Sequence, residues 1–382
     1  MVDKLELLGA SARWDICAAS CVGFRVPGRR RAPGNLPKWI YPAARPDGQQ
    51  VLLMKVLMSN ACQNRCAYCA NRCGRVGQSA DFGAEELVRL FVEFHEGDLA
   101  RGLFLSSAVP DGPDETMDRM LTAVEMLRLK HEYRGYVHLK VLPGASFDRV
   151  ERAVELADRV SVNLEAPGPA QLQRVAPDKD FEGDLLTRMR WIRELMGREG
   201  MTCRGQTTQF IVGAAGETDR EILTTSARLY QDLRLERCYY SAFSPVPGTP
   251  LGEALPTPLI REHRVYQADY LLRWYGWRLG ELPFEEDGNL PLGTDPKAAW
   301  ARAHPERFPI EVNRAGAREL MRIPGVGPRS ARRIVSYRRR QRIGSLEELR
   351  ALGAVARRAG GYVLLAGRRP AEARGQLELG LG

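Results

Sequence analysis

Four cysteines, Cys62, Cys66, Cys69 and Cys73, fall within the short segment SNACQNRCAYCANRCGR. Such crowding argues for a bound metal, because eight cysteines in a 382-residue chain make a poor disulfide framework. The first three are spaced C-x3-C-x2-C. A cubane iron–sulfur cluster has four irons whose usual protein ligands are thiolates, so three cysteines leave one iron without a protein ligand. An open coordination position is what a metal needs to bind a substrate-like molecule, the distinction that separates catalytic from structural zinc. Two other readings use Cys73 as a fourth ligand. One is a zinc site, although zinc knuckles are built from two separated cysteine pairs. The other is a ferredoxin-like cluster, although the spacing departs from the C-x2-C-x2-C run. Cys17 and Cys21 either meet this site or are buried thiols.

The elements that must carry these thiols follow from hydrophobic periodicity. Short apolar runs at 51–58, 102–107, 136–142, 159–165, 207–213 and 237–243 read as strands. Amphipathic stretches at 84–95, 115–132 and 185–200 read as helices between them, and a further helix is expected over 259–279. Strands alternating with helices predict parallel βα units in an open sheet or partial barrel. The cysteine loop directly follows the first strand. The expected organisation is an N-terminal extension (1–50), a core (51–280), a linker (281–308), a basic module (309–370) and a tail (371–382).

Spacing, strand context and the aromatic Tyr68 together resemble the signature of radical S-adenosylmethionine (SAM) enzymes. The resemblance implies a partial (β/α)6 TIM-like barrel and a [4Fe–4S] cluster on Cys62, Cys66 and Cys69. The open iron would bind the amino and carboxylate groups of SAM, and an electron from a flavodoxin or ferredoxin would yield a 5′-deoxyadenosyl radical. The family holds the SAM amino group at the end of the second strand, often on a Gly-Gly-Glu turn. Here Ser106 and Ser107 stand at that place, and their hydroxyls can still form hydrogen bonds. Lys140, Asn163 and Glu165 end strands that should point into the cavity, favoured site positions in this architecture; each is equally readable as a structural polar group. QFIVGAAGETDREI resembles the G-x-P-G-E-T turn of methylthiotransferases and elongator-type catalytic subunits. By that likeness Gly213 and Gly216 let backbone approach the adenosine, and Thr218 or Asp219 caps the next helix. YYSAFSPVPGTPL is similar to the S-x-x-P-G-T-P segment of the same subgroup.

Charge is unevenly spread. The formal net charge is +9, yet from Glu311 to Gly382 there are 16 Arg, no Lys and 6 acidic residues, a local +10. A charge excess confined to one module points to a polyanion. Within it, VNRAGARELMRIPGVGPRSARRIVSYRRR resembles a helix-hairpin-helix of DNA repair and DNA uptake proteins. A first helix is expected over 313–323 and a second over 329–339. Gly325, Val326 and Gly327 form the turn whose backbone, with the second helix's N-terminus, can bind a phosphate oxygen. Arg329, Arg332 and Arg333 are placed to add phosphate contacts, which give affinity without base specificity. LRALGAVARRAGGY reads as a second, degenerate hairpin.

The whole chain resembles a bacterial family of radical SAM proteins assigned to DNA modification or repair, through WDICAASC, SNACQNRCAYCANRC, LFLSS, VNLEAP, DPKAAWA and the PGVG turn. The family is associated with a uracil-DNA-glycosylase-like partner. The leading expectation is therefore a radical SAM enzyme acting on DNA. The alternatives are a tRNA-modifying radical SAM enzyme and a non-catalytic iron–sulfur DNA-binding protein. Cys203, Cys238, Tyr239 and Tyr240 are chemically eligible as radical relays, but core packing explains each more simply. GQLELGLG resembles a sliding-clamp-binding peptide without its aromatic, and reads as a disordered tail. Hydrophobic content of 44% and charged content of 27% fit a soluble globular chain, and no apolar stretch approaches the roughly 18 residues of a membrane span. The charged N-terminus reads as an amphipathic helix, so a cytoplasmic location is expected.

Overall fold

In the computed structural model, residues 2–12, 37, 39–44, 50–75 and 77–370 are described. Cys17, Cys21, most of the Arg/Pro/Gly-rich segment from Pro27 to Gly48 and the sequence from Ala371 onward lie outside them. The chain divides into two compact units, Met1–Glu217 with Arg228–Glu262, and Thr218–Ala227 with His263–Gly382.

The first unit begins with helix α1 (Val2–Ser11) and holds a curled, seven-stranded half-barrel sheet. Its strands are β1 (Ile40–Ala44), β2 (Gln50–Leu57), β3 (Gly102–Ser106), β4 (Tyr136–Lys140), β5 (Arg159–Ser161), β6 (Gly205–Val212) and β7 (Arg237–Ala242). They lie side by side in sequence order. From β2 to β7 all pairings are parallel, in registers such as Lys55↔Phe104 and Phe104↔His138. Parallel strands covered on both faces read as largely apolar runs; β3 (GLFLS) fits and is buried at every position, and β6 is equally buried although it carries Gln206, Thr207, Thr208 and Gln209. This is the partial barrel expected, with one added strand. β1 pairs antiparallel with β2. Its sequence IYPAA is short and contains Pro42, which is tolerated at a sheet edge because it donates no ladder hydrogen bond. β5 is shorter than expected because the ladder is interrupted after Ser161, where the Leu164 amide donates to the Thr208 hydroxyl at 3.0 Å instead of a β6 carbonyl; pairing resumes at a bridge from Glu165, which has φ of 63°, to Phe210.

The connecting helices are α2 (Ala84–Glu96), α3 (Pro113–Glu125), α4 (Phe147–Leu156), α5 (Pro169–Val175), α6 (Thr187–Leu195), α7 (Asp219–Asp232) and α8 (Leu259–Trp274). Two carry π-helical turns: α3 runs on through Met126–Lys130, and Phe181–Leu186 leads into α6. The division between units falls inside α7 and α8.

The second unit contains α9 (Pro296–Ala303), β8 (Ile310–Glu311), α10 (Ala317–Leu320), α11 (Pro328–Tyr337), α12 (Leu346–Ala351), α13 (Ala356–Ala359) and β9 (Val363–Leu364). Residues 281–308, read above as a linker, thus include a helix, which starts on an Asp295 cap accepting from the Ala298 amide at 3.1 Å. The basic module is helical except for one parallel pairing, Ile310↔Val363 and Glu311↔Leu364, which joins its start to its finish. Val312, Leu320, Ile323, Val326, Ile334 and Leu349 form the centre of its core. The first hairpin helix is shorter than 313–323. Asn313 instead clamps Ile343, its amide donating to the Ile343 carbonyl at 2.9 Å while its oxygen accepts from the Ile343 amide at 2.8 Å. Helix can begin only at Gly316, whose amide the Glu319 carboxylate caps at 2.9 Å. Among the described residues no helix is long and apolar enough to cross a membrane.

Candidate metal centre and candidate nucleic-acid interface

The cysteine loop leaves β2 and is fastened on three sides. Ser59 donates its amide to the Ser107 hydroxyl at 3.2 Å, and Gln63 donates its amide to the Val109 carbonyl at 2.8 Å. Asn60 closes the far end, accepting from the Ala80 amide at 2.8 Å. The third anchor is the segment after α5. Ala67 donates to the Val175 carbonyl at 2.7 Å, and Arg65 pairs with Asp178 at 2.6 Å. Cys66 is buried, Cys62 and Cys69 are half-buried, and Cys73 is exposed. The Asn71 amide donates to the Cys69 sulfur at 3.4 Å.

Burial pushes the Cys66 thiol up, and it pushes Cys69 up to about 12, with the neighbouring thiols adding to the shift. Such thiols ionise only when a cation replaces the proton, which couples ligation to proton release. Among the described residues no three His, Cys, Asp or Glu side chains converge as ligands of a single ion do. Three thiols on one short loop are the kind of donor set that a [4Fe–4S] cluster takes, whereas zinc knuckles draw on two separated pairs.

Lys179 is the residue that sequence reading missed. Its ammonium lies 3.3 Å from a Glu165 carboxylate oxygen, with both side chains buried. Burial works to lower its pKa, but Cys66, Glu165 and Cys69 outweigh it and the group is pushed up. Burial, followed by Glu165, lifts the Tyr68 phenol well above its ordinary value, and Tyr68 hydrogen-bonds Glu165. The buried Lys179 and Glu165 and the half-buried Tyr68 therefore form one polar group at the cysteine loop. The only hint in the sequence was APDKD (176–180), which reads as a solvated charged loop.

The remaining expected residues of this unit are placed as follows. Ser106 and Ser107 are buried at the end of β3, and the Ser107 oxygen is engaged by Ser59. Asn163 is buried just beyond β5, and Lys140 is half-buried at the end of β4. Gly213 and Gly216 have φ of 89° and 72°. A Cβ on Gly213 would fall 2.0 Å from the Thr257 hydroxyl, so that glycine makes room for the protein's own side chain. The Glu217 carboxylate fills the turn, accepting from the amides of Gly213 and Ala215. Cys203, Cys238, Tyr239 and Tyr240 are buried in the core. In the second unit Thr218 caps α7, its hydroxyl accepting from the Glu221 amide at 3.2 Å.

The hairpin turn sits in the second unit. Gly325 has φ of 85°, and a Cβ there would meet the Val355 carbonyl at 2.6 Å. The Val355 amide donates to the Gly325 carbonyl at 2.8 Å. Val326 is buried in the module core, and Gly327 is the N-cap of α11 with Pro328 at its first position. The segment 349–362 does form a second helix–turn–helix, with Gly353 at φ 91°. A shift of 28 residues carries Gly325 onto Gly353 and Ser330 onto Arg358, and Gly325 abuts Arg358 just as Gly353 abuts Ser330. The two hairpins thus pack reciprocally, about a local two-fold.

Arg329, Arg332 and Arg333 are exposed along α11. Among the described residues no carboxylate pairs with them, whereas Arg322 pairs with Glu281 and Arg358 with Asp295. The Arg322 guanidinium also lies over two indole rings, 4.2 Å from the Trp277 centroid and 4.9 Å from the Trp300 centroid. Lys297, on α9, donates to the Val326 carbonyl at 2.5 Å and lies 4.8 Å from the Tyr275 ring centroid. Burial lowers its pKa to about 7, with Arg358 and Arg322 lowering it further and Asp295 opposing. A lysine with a depressed folded pKa binds fewer protons folded than unfolded between pH 7 and its ordinary value near 10. Stability should therefore rise with pH in that window, by about 2 kcal/mol from pH 7 to 9. Lys297→Met should flatten the rise in urea titrations; an unchanged slope would mean that the ammonium is not desolvated.

Two family models match the chain: the radical SAM superfamily over residues 56–229 and a helix-hairpin-helix motif over residues 307–357. Solved structures with similar folds include the FeFe-hydrogenase maturase HydG from Carboxydothermus hydrogenoformans, at 15% identity, covering 57% of this chain and 49% of that one with a TM-score of 0.46. Methylornithine synthase (PylB) matches at 14% identity, with coverages of 55% and 59% and a TM-score of 0.45. Streptococcus suis SuiB matches at 12%, with 57% and 45% covered and a TM-score of 0.43. The chain spans about half the length of these proteins. A search of curated proteins finds no match.

Proposed function

We propose that this chain, which matches the radical SAM superfamily model over residues 56–229 and a helix-hairpin-helix model over residues 307–357, is a radical SAM enzyme acting on DNA, modifying a base or reversing a lesion. Members of the superfamily use a [4Fe–4S] cluster and SAM, which together supply a 5′-deoxyadenosyl radical. Cys62, Cys66 and Cys69 would hold the cluster. The Asn71 amide and the Lys179 ammonium offset negative charge on their sulfurs. Glu165 holds Lys179 and Tyr68 in place, and the Ser106 hydroxyl and Asn163 stand at strand ends where SAM would be oriented. A flavodoxin- or ferredoxin-type donor would deliver the electron, in the cytoplasm, and a uracil-DNA-glycosylase-like protein is the partner that the family resemblance implies.

The observation that carries the DNA reading is the row of exposed, unpaired Arg329, Arg332 and Arg333 behind a glycine turn, in a module of net charge +10. Three arginines on phosphates release counterions, so affinity should fall steeply with salt. Removing all three should weaken duplex binding and reduce the slope of log K against log salt by about 2–3. The test is retention of duplex DNA and of tRNA by the wild type and the triple Ala variant across a salt series, followed by mass spectrometry of DNA incubated with SAM and reductant. Preferential tRNA binding would overturn the DNA reading.

A further inference from the structure

Helix α8 ends on two aromatic side chains that no core covers. Tyr270 and Trp274 are 51% and 59% exposed, and at a spacing of four they share one helix face. Arg273 lies over both rings, 5.4 Å from the Tyr270 centroid and 5.9 Å from the Trp274 centroid. Its guanidinium is itself pinned, donating twice to one oxygen of the fully buried Asp269 at 2.8 and 2.6 Å. A buried carboxylate thus fixes the guanidinium, and the guanidinium orders the rings. Large aromatic faces held in solvent lose little freedom when something stacks on them.

The pair stands close to the hairpin. The next residue, Tyr275, has its hydroxyl 3.3 Å from where a Cβ on Gly327 would sit. Lys297 bridges the same two elements, lying over the Tyr275 ring and donating to the Val326 carbonyl. One tyrosine therefore separates the exposed rings from the glycine turn and from the start of α11.

We propose that Tyr270 and Trp274 are a stacking platform for unpaired bases of a nucleic-acid strand whose phosphates lie along the hairpin and α11. This inference rests on the nucleic-acid reading above and narrows its substrate to single-stranded or locally opened nucleic acid. Base faces are buried in an intact duplex, so only unpaired bases can use the rings. A cationic module carrying exposed aromatics combines the two features by which single strands are held, backbone charge and base stacking. The arginine-rich surroundings complement a phosphate chain and disfavour a basic or purely apolar protein partner.

The test compares a labelled oligothymidylate with a duplex of the same length, binding the full chain by fluorescence anisotropy. Tyr270→Ala/Trp274→Ala should lose about tenfold or more on the single strand and keep its duplex affinity. Trp274→Phe should retain most single-strand affinity but lose the quenching of tryptophan emission that accompanies it. Both substitutions are exposed, and an unchanged thermal transition will show that the module remains folded. A wild type that binds neither ligand would overturn the nucleic-acid reading and this inference with it. A wild type that binds while the double variant binds equally well would overturn the inference alone. If the double variant instead turns an oligomer into a monomer with strand binding unchanged, the face joins two copies of the chain and the proposal falls.

Discussion

Cys66→Ser, reconstituted anaerobically with iron and sulfide, is expected to hold no intact [4Fe–4S] cluster and to cleave SAM below detection, while Cys73→Ser keeps both properties. Cys66 is the buried member of its loop, and the backbone on either side is committed, with Ala67 bound to Val175 and Cys69 bound to the Cys66 carbonyl. A serine hydroxyl there supplies no thiolate, and no other cysteine can take over without unpicking those bonds. Cys73 is exposed, and its amide already donates to the Asn64 carbonyl at 2.8 Å. Iron content, visible charge-transfer absorbance and the electron paramagnetic resonance of the reduced cluster are the readouts, with 5′-deoxyadenosine as the activity measure. Loss of the cluster in Cys73→Ser would restore the four-cysteine readings.

The second large effect concerns Lys179. Removing one partner of a buried ion pair leaves the other charge uncompensated, at a typical cost of about 3–5 kcal/mol. Lys179→Met should cost on that order in urea unfolding of the cluster-free chain. Lys179→Met/Glu165→Gln should recover most of the loss, because both charges are then gone. Equal destabilisation by the single and double variants would mean that Lys179 acts through packing of its stem alone. The cluster-loaded Lys179→Met should also show a lower reduction potential, as a cation beside the thiolates favours the reduced, more negative state.

Much of this architecture was legible beforehand, and for a physical reason. A strand covered on both faces is rich in apolar residues, so β2 to β7 announced themselves despite the buried Gln206, Thr207, Thr208 and Gln209 of β6, and the cysteine loop could be placed by the strand before it. β1 was hidden by its proline, acceptable only because the strand is an edge. Lys179 was hidden by distance: Arg65 meets Asp178 113 residues away, and no local pattern reports such a contact. Gly213 shows what sequence alone leaves open. It lies in the turn that was expected and takes a positive φ, and the space beside it is occupied by Thr257. Asn313 likewise looked helical until its side-chain amide proved to be a clamp for Ile343.

The reciprocal hairpins have a further consequence. The shift that carries Gly325 onto Gly353 also carries Gly327 onto Val355. Gly327 has φ of −98° and Val355 of −83°, backbone that any residue can adopt. The glycine at 327 is thus not demanded by the turn; it differs from its counterpart only in clearance. Val355 sets an isopropyl group, 52% exposed, where the other turn leaves room for the Tyr275 hydroxyl. Two near-copies of one motif have divided their labour, one making room for a tyrosine beside its turn and the other bracing it through the Val355–Gly325 hydrogen bond.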